Sequence, residues 1–203
     1  MEKSEQRIVL GVDLGSTKIQ VGAVTREGEI LKTMRFGTFR NTQQETIDSL
    51  VNAISGFLDV WEGRHPDAIG IGLVGHIDQV NGVWMHSLNA KISEPVAIAS
   101  ILSDRFKAPV YIDNDVNCAA LAELCFGIGK TSDHFILVNV GTGVGCGIVD
   151  GGRIVRGVSN SAGEMGHMSV ETGGDLCPCG FFGCLESIVG GAAIIRSAVS
   201  MLP

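Results

Sequence analysis

The apolar residues in the first half of the chain fall into short runs separated by Gly and charged residues, with one long amphipathic segment among them. The short runs predict strands. Residues 42–61 carry apolar side chains three and four positions apart, which is typical of a helix, and Thr42 is a suitable cap. Pro95 opens a second predicted helix over residues 96–106. The predicted strands are residues 8–13, 19–24, 30–36, 68–73 and 110–112.

The second half of the chain repeats the pattern of the opening. The segment ILVNVGTGVGCGIVDGGRI follows the same order as IVLGVDLGSTKIQVGAVTREGEI, namely strand, Gly/Thr turn, strand, Gly hairpin and strand. The strand, helix, strand order predicts an α/β architecture, and two similar halves predict a duplicated fold that closes around a nucleotide. The predicted elements are strands 135–140, 146–149 and 154–156 and helices 116–126 and 192–202.

Composition narrows the class of protein. The 203 residues suffice for one large or two small domains, and 45% hydrophobic with 18% charged residues is typical of a soluble globular chain. The net charge of −7 and the scattered Lys and Arg argue against a nucleic-acid partner. The sequence has neither a signal-peptide pattern nor an apolar stretch of bilayer length. We therefore expect a cytoplasmic protein with no membrane partner.

One short segment carries the chemistry of a closed metal site. A Gly- and Pro-rich loop of eight residues contains three Cys, and one His lies ten residues before the first of them. Three thiolates and an imidazole form a tetrahedral zinc set typical of structural sites. The alternative is three free thiols and a core histidine, and a disulfide is less favoured because nothing else in the chain is typical of a secreted protein. The candidate ligands are His167, Cys177, Cys179 and Cys184.

Two Gly-containing turns are candidates for phosphate binding. The first is residues 15–18, where backbone N–H groups and small hydroxyls could reach an anion while Asp13 held a hydrated Mg²⁺. Asp-x-Gly-Ser is also ordinary turn chemistry, and that alternative stays open. The second is the Gly-Thr-Gly turn at residues 141–143, and its match with the first turn strengthens both.

Asp113, Asn114 and Asp115 form a run of three residues that can cap a helix, at the end of a predicted strand. One of them could simply cap the helix that follows. The functional alternative is that Asp115 projects from the helix start as a base, because open α/β sheets place ligands beyond the carboxyl ends of their strands.

These motifs together resemble the ROK family, the group of bacterial sugar kinases and sugar-responsive repressors. The resemblance covers nearly the whole chain, and its last two segments are close to diagnostic. The matching segments are residues 13–18 (DLGSTK), 114–117 (NDVN), 141–143 (GTG), 162–167 (AGEMGH) and 177–186 (CPCGFFGCLE).

The resemblance implies an α/β, actin-like ATPase fold of the hexokinase type, which is ribonuclease H-like, with two lobes and a truncated C-terminal lobe. The N-terminal lobe would span residues 1–113 and hold the first phosphate loop and the sugar loop. The C-terminal lobe would begin with residues 114–203 and hold the catalytic Asp, the second phosphate loop and the zinc loop.

The resemblance also implies an ATP-dependent kinase that phosphorylates glucose, a related hexose or an N-acetylhexosamine, with Asp115 as the base. Zn²⁺ would be structural, Mg²⁺ would accompany ATP, and a homodimer is expected by analogy alone. His167 would contact the sugar as well as the zinc. The implied sugar contacts are Asn89, Asn114, Asp115, Glu164, His167 and Glu186. The implied ATP contacts are Asp13, Gly15, Ser16, Thr17, Lys18, Gly141, Thr142 and Gly143.

The chain departs from the family pattern in several places. Ser16 stands where kinases usually have a second Gly, the sugar loop reads Val-Gly-His-Ile-Asp instead of containing Pro-Gly, and Asn89 is followed by Ala instead of Leu. Family members also continue well beyond residue 203. The alternatives are therefore a non-catalytic sugar-binding regulator and an inactive kinase fragment. Only seven residues precede the first strand, too few for the helix-turn-helix domain of such regulators, which favours the enzyme.

Overall fold

A computed structural model describes residues 7–15, 18–39, 41–63 and 65–201. The chain divides into two compact units, Met1–Cys118 and Ala119–Pro203. The strands of the first unit are β1 (Ile8–Leu14), β2 (Lys18–Thr25), β3 (Ile30–Gly37), β4 (Ala68–Leu73), β5 (His76–Asp78), β6 (Val83–His86) and β7 (Val110–Asn114). Its helices are α1 (Gln43–Asp59), α2 (Ile98–Phe106) and the beginning of α3 (Asp115–Phe126).

A five-stranded sheet with the order β3-β2-β1-β4-β7 forms the centre of the first unit. β1 is antiparallel to β2 and parallel to β4, and β4 is parallel to β7. The apolar stripe of α1 is fully buried in the core, including Leu50, Ile54 and Phe57. Thr42 accepts a hydrogen bond from the backbone of Glu45 and caps this helix. The α/β prediction and the predicted cap are thus confirmed.

The segment between β4 and α2 differs from the sequence prediction. A loop is expected up to Asn89, but β5 and β6 form an antiparallel hairpin there. The turn of this hairpin is closed by Asp78, which accepts hydrogen bonds from the backbone and the side chain of Asn81. The predicted helix start at residue 96 is also wrong, because Val96 exchanges two backbone hydrogen bonds with Trp84. The helix therefore begins at Ile98.

The second unit contains the rest of α3 and an antiparallel sheet of the order β10-β9-β8. β9 starts two residues earlier than predicted, and the last helix is shorter than the predicted residues 192–202, of which Leu202 lies outside the described residues. The sequence analysis missed a short helix after the cysteine-rich segment. The elements are β8 (Phe135–Val140), β9 (Val144–Asp150), β10 (Arg153–Ile154), α4 (Leu185–Val189) and α5 (Gly191–Ser200).

The two units repeat one motif. β1, β2 and β3 form an antiparallel meander, and β8, β9 and β10 form another with the same order. Each meander has a Gly-containing turn between its first two strands. This similarity confirms the internal repeat predicted from the sequence. Among the described residues, none of the helices combines the length and the apolar character needed to cross a bilayer.

Candidate functional site

The four predicted zinc ligands converge in the second unit. One ligand atom from each of them can be chosen so that all four lie within 4.8 Å of one another. Sγ of Cys177 lies 3.6 Å from Nδ1 of His167, and Sγ of Cys179 lies 3.7 Å from Sγ of Cys184. Tetrahedral zinc with Zn–S bonds of about 2.3 Å holds two sulfurs about 3.7–3.8 Å apart. The spacing therefore fits zinc, and all six cysteines are free thiols.

Backbone hydrogen bonds shape the cysteine loop (residues 177–184). The N–H of Cys177 donates to the carbonyl of Phe181 at 2.8 Å, and the Gly180 N–H donates back to the carbonyl of Cys177 at 2.9 Å. Gly180 and Gly183 have φ of 94° and 68°, which L side chains rarely adopt. The Cys and Gly positions thus form one turn that presents the sulfurs to a common centre.

The thiols of the cysteine loop differ in acidity. Burial raises the pKa of Cys184 to about 12, and hydrogen bonds from Cys179 and Cys177 act in the same direction. The backbone hydrogen bond of Phe181 lowers the pKa of Cys179. The Cys184 thiol is therefore harder to deprotonate than the Cys179 thiol, and it has to lose its proton when a cation binds.

His167 ends one turn of 3₁₀ helix, Met165–His167, that packs beside β9, and Glu164 directly precedes this turn. While Nδ1 of His167 faces the sulfurs, its Nε2 lies 3.9 Å from a carboxylate oxygen of Glu164. Gly166 is buried against the carbonyl of Val144, where a side chain would clash. This close approach holds the predicted sugar-binding residues of this turn beside the strand that leaves the second phosphate loop.

The second phosphate loop (residues 141–143) is a tight turn between β8 and β9. The N–H of Gly141 donates to the carbonyl of Gly143 at 2.9 Å. The carbonyl of Gly141 in turn accepts from the N–H of Gly191, at the first residue of α5, at 2.8 Å. Glu186, another predicted sugar contact, accepts a hydrogen bond from the N–H of Val144 at 2.9 Å. The second unit thus contains the predicted metal ligands, two predicted sugar-binding carboxylates and the second predicted phosphate loop.

The first phosphate loop (residues 15–18) is described only in part, because Ser16 and Thr17 lie outside the described residues. Asp13 and Lys18 flank it on β1 and β2. Desolvation by the surrounding protein raises the pKa of Asp13, although its side chain is partly exposed, and the charge of Lys18 opposes this shift.

Asn114 and Asp115 lie where β7 ends and α3 begins. The side-chain oxygen of Asn114 accepts hydrogen bonds from the N–H groups of Val116 at 2.9 Å and Asn117 at 3.3 Å, so Asn114 is a helix cap. Asp115 is the first residue of the helix, and its Oδ1 also contacts the N–H of Val116 at 3.0 Å. The capping alternative is therefore confirmed for Asn114, while the role of Asp115 as a base stays a prediction.

Three neighbouring strands, β1, β4 and β7, place Asp13 and Asp113 at the same end of the sheet. In register, Asp13 lies opposite Gly72 of β4, and Gly72 lies opposite Asp113 of β7. The sequence analysis did not single out Gly72. A Cβ at this position would lie 3.4 Å from Cα of Asp115, an ordinary contact distance, so β4 packs closely against the start of α3. The signal was a Gly inside an apolar strand, which often marks a close approach of another chain segment.

Asn89 lies elsewhere in the first unit, exposed in the turn that follows β6. A cavity of about 400 Å³ opens beside that turn and is lined by its neighbours Ser87, Leu88 and Lys91, together with residues 41–43, which lead into α1. Neither Asn89 nor Asp115 lines this cavity.

The comparisons with known proteins identify the family. The model of the ROK family matches residues 9–201 of the chain. The chain belongs to the ROK family. Its fold is the actin-like ATPase fold, as predicted. A ROK glucokinase from Streptomyces griseus, solved with glucose and AMPPNP, superimposes with a TM-score of 0.85 at 35% identity, over 95% of this chain and 60% of that one.

Both functional branches of the ROK family occur among the relatives. A glucokinase from Thermotoga maritima is 36% identical over 93% of this chain and 59% of its own length. The DNA-binding transcriptional dual regulator NagC of Escherichia coli is 32% identical over 95% of this chain and 48% of its own length. The chain thus spans between half and three fifths of the length of these ROK relatives.

Proposed function

We propose that this chain carries the sugar site and the phosphate loops of an ATP-dependent kinase that phosphorylates a hydroxyl group of glucose, a related hexose or an N-acetylhexosamine. The observation that carries the proposal is the position of Asp115, which is the first residue of α3 and directly follows the end of β7. The similarity to glucokinases at 36% identity supports the same activity.

In the proposed reaction, a sugar hydroxyl donates a hydrogen bond to Asp115. The carboxylate accepts the proton as the hydroxyl oxygen attacks the γ-phosphorus of ATP, and ADP leaves. Backbone N–H groups of the two phosphate loops stabilise the charge that develops on the transferred group. Glu164, His167 and Glu186 bind the remaining hydroxyls, with Asn89 and Asn114 as further sugar contacts.

Two cations fit the residues. Zinc would be held by His167, Cys177, Cys179 and Cys184, whose spacing fits a tetrahedral set, and would keep the sugar-binding residues in place. Mg²⁺ would arrive with ATP beside Asp13 and neutralise phosphate charge.

A second candidate function rests on the regulator branch of the family. A sugar-binding regulator without turnover would use the same hydroxyl contacts and the same zinc loop, and NagC is 32% identical to this chain. The two functions differ at Asp115, because a regulator needs this residue at most for binding, whereas a kinase needs it for proton transfer.

The test combines calorimetry with a coupled assay for ADP release, using glucose and N-acetylglucosamine on the wild type and on Asp115→Asn. We expect binding within about threefold of the wild type and turnover lowered by about 10²–10⁴-fold, the usual contribution of a general base. An equal loss of binding and turnover would exclude Asp115 as the base. Sugar binding by the wild type without ADP release would favour the regulator.

A further inference from the structure

Glu186 connects two segments of the second unit that the proposed reaction uses separately. Its Oε2 accepts a hydrogen bond from the N–H of Val144, the first residue after the second phosphate loop, at 2.9 Å. Glu186 itself lies in the first turn of α4, two residues after Cys184. One carboxylate therefore joins the end of the cysteine loop to the phosphate loop.

The phosphate loop is built around this carboxylate. A Cβ at Gly143 would lie 2.5 Å from Oε2 of Glu186, so only glycine leaves space for the carboxylate in its present position. Gly143 has no positive φ, and its backbone would therefore accept alanine. A side chain at this position would therefore displace the carboxylate of Glu186.

The two oxygens of the carboxylate are used differently. Oε2 is occupied by Val144, whereas Oε1 has no hydrogen-bond or ion-pair partner within the part of the chain that the structure describes. Glu186 is half-buried, so an acceptor oxygen without a partner remains accessible to a ligand. A hydroxyl group is the natural donor for such an oxygen.

We infer that Glu186 is the positioning residue of the second phosphate loop and that it links the loop to occupancy of the sugar site. The inference rests on the proposed function for its second half, since the hydroxyl donated to Oε1 is that of the sugar. A sugar that fixes the orientation of the carboxylate through Oε1 also fixes the Val144 hydrogen bond through Oε2. The phosphate loop is then ordered before ATP binds, which makes sugar and phosphate binding cooperative.

The first part of the test needs no sugar. Amide hydrogen exchange at Val144 is measured by NMR in the zinc-loaded wild type, Glu186→Ala, Glu186→Gln and Glu164→Ala. We expect exchange to be about tenfold faster in Glu186→Ala, because the N–H loses its acceptor. Glu186→Gln keeps an acceptor oxygen and should restore protection to within about threefold. Glu164→Ala is the matched control, since it removes a predicted sugar contact that does not touch the loop.

Gly143→Ala provides an independent arm. The Cβ that this substitution adds would displace the carboxylate of Glu186, so the exchange rate at Val144 should rise in this variant. In the Gly143→Ala, Glu186→Ala double variant, exchange at Val144 should be no faster than in Glu186→Ala alone. Zinc content and the global unfolding midpoint check that each variant is folded. Exchange at Val144 that is unchanged in Glu186→Ala would overturn the inference.

The second part adds glucose or N-acetylglucosamine to the same samples. In the wild type we expect the bound sugar to slow exchange at Val144 further, about threefold or more. We expect no such change in Glu186→Gln, because the NH₂ group that replaces Oε1 cannot accept a hydrogen bond from a sugar hydroxyl. A sugar that binds without changing Val144 would refute the link. If neither sugar binds, the proposed function and the link both fail, while the exchange data still decide whether Glu186 positions the loop.

Discussion

Nε1 of Trp84 donates a hydrogen bond to the backbone carbonyl of Val74 at 3.1 Å. Trp84 is completely buried in the core of the first unit, and Val74 begins the segment that leads from β4 into β5. A core side chain thus fixes the start of the segment that the resemblance assigns to sugar binding. This relationship links the stability of the core to the geometry of that segment.

Trp84→Phe should lower the free energy of unfolding by about 1–3 kcal/mol, because the Val74 carbonyl loses its donor and the smaller ring leaves unfilled space. Trp84→Ala should cost about 3–5 kcal/mol. Urea unfolding of both variants measures these values. We expect Trp84→Phe also to weaken sugar binding, and unchanged affinity in a destabilised variant would show that the Val74 contact serves the fold alone.

Cys179→Ala should release the zinc and weaken sugar binding, because the cysteine loop, which leads directly into the helix of Glu186, loses the ion that fixes it. Cys125→Ala is the matched control, since Cys125 is an exposed free thiol on α3 outside the ligand cluster. Zinc content by elemental analysis and sugar affinity by calorimetry are the measurements. Full sugar affinity in a metal-free variant would contradict the role of zinc in shaping the binding wall.

The sequence was sufficient for the elements with strong local signals. Residues close together in the sequence are enough to predict the cap at Thr42, the apolar face of α1 and the Gly/Thr turns. The same holds for the ligand cluster, whose members lie within 18 positions of one another. The structure also identifies Asn114 as the residue that caps α3, where the sequence left three candidates open.

Two non-local contacts and one turn closed by a side chain explain what was not predicted from the sequence. Val96 pairs with Trp84 across twelve positions, and that pairing overrides the helix signal of Pro95. The β5–β6 hairpin depends on a turn closed by the side chain of Asp78, whose pKa is lowered mainly by the Asn81 side chain. The contact between Glu186 and Val144 joins residues 42 positions apart, and periodicity carries no information about such a pair.

Asp13→Asn should stabilise the fold above pH 4 and impair any function that needs a cation at this position. The pKa of Asp13 is raised above 3.8 by desolvation, so the folded protein binds more protons than the unfolded chain in the window above 3.8. The free energy of unfolding of the wild type therefore falls as the pH rises through that window, and the neutral side chain of Asp13→Asn avoids this loss. Unfolding measured from pH 3 to 7 should show the difference between the two proteins disappearing at the acid end.

Gly72 provides the sharpest test of the candidate base. A Cβ at this position lies at ordinary contact distance, 3.4 Å from Cα of Asp115, so Gly72→Ala should be tolerated. Gly72→Val adds two methyl groups that must push against Asp115 or Cys118, and a shift of the base by about 1 Å lowers turnover by about 100-fold.

The matched control for Gly72→Val is Gly70→Val, because a Cβ at Gly70, on the same strand, meets no atom within 4 Å. We expect Gly72→Val to lose about 1–3 kcal/mol of unfolding free energy through overpacking, and Gly70→Val to lose much less. ADP release and sugar calorimetry then separate the effects, since displacement of the base lowers turnover while binding persists. If Gly70→Val and Gly72→Val behave alike in unfolding and in turnover, the space beside Asp115 has no special role, and the position of the base is set by α3 alone.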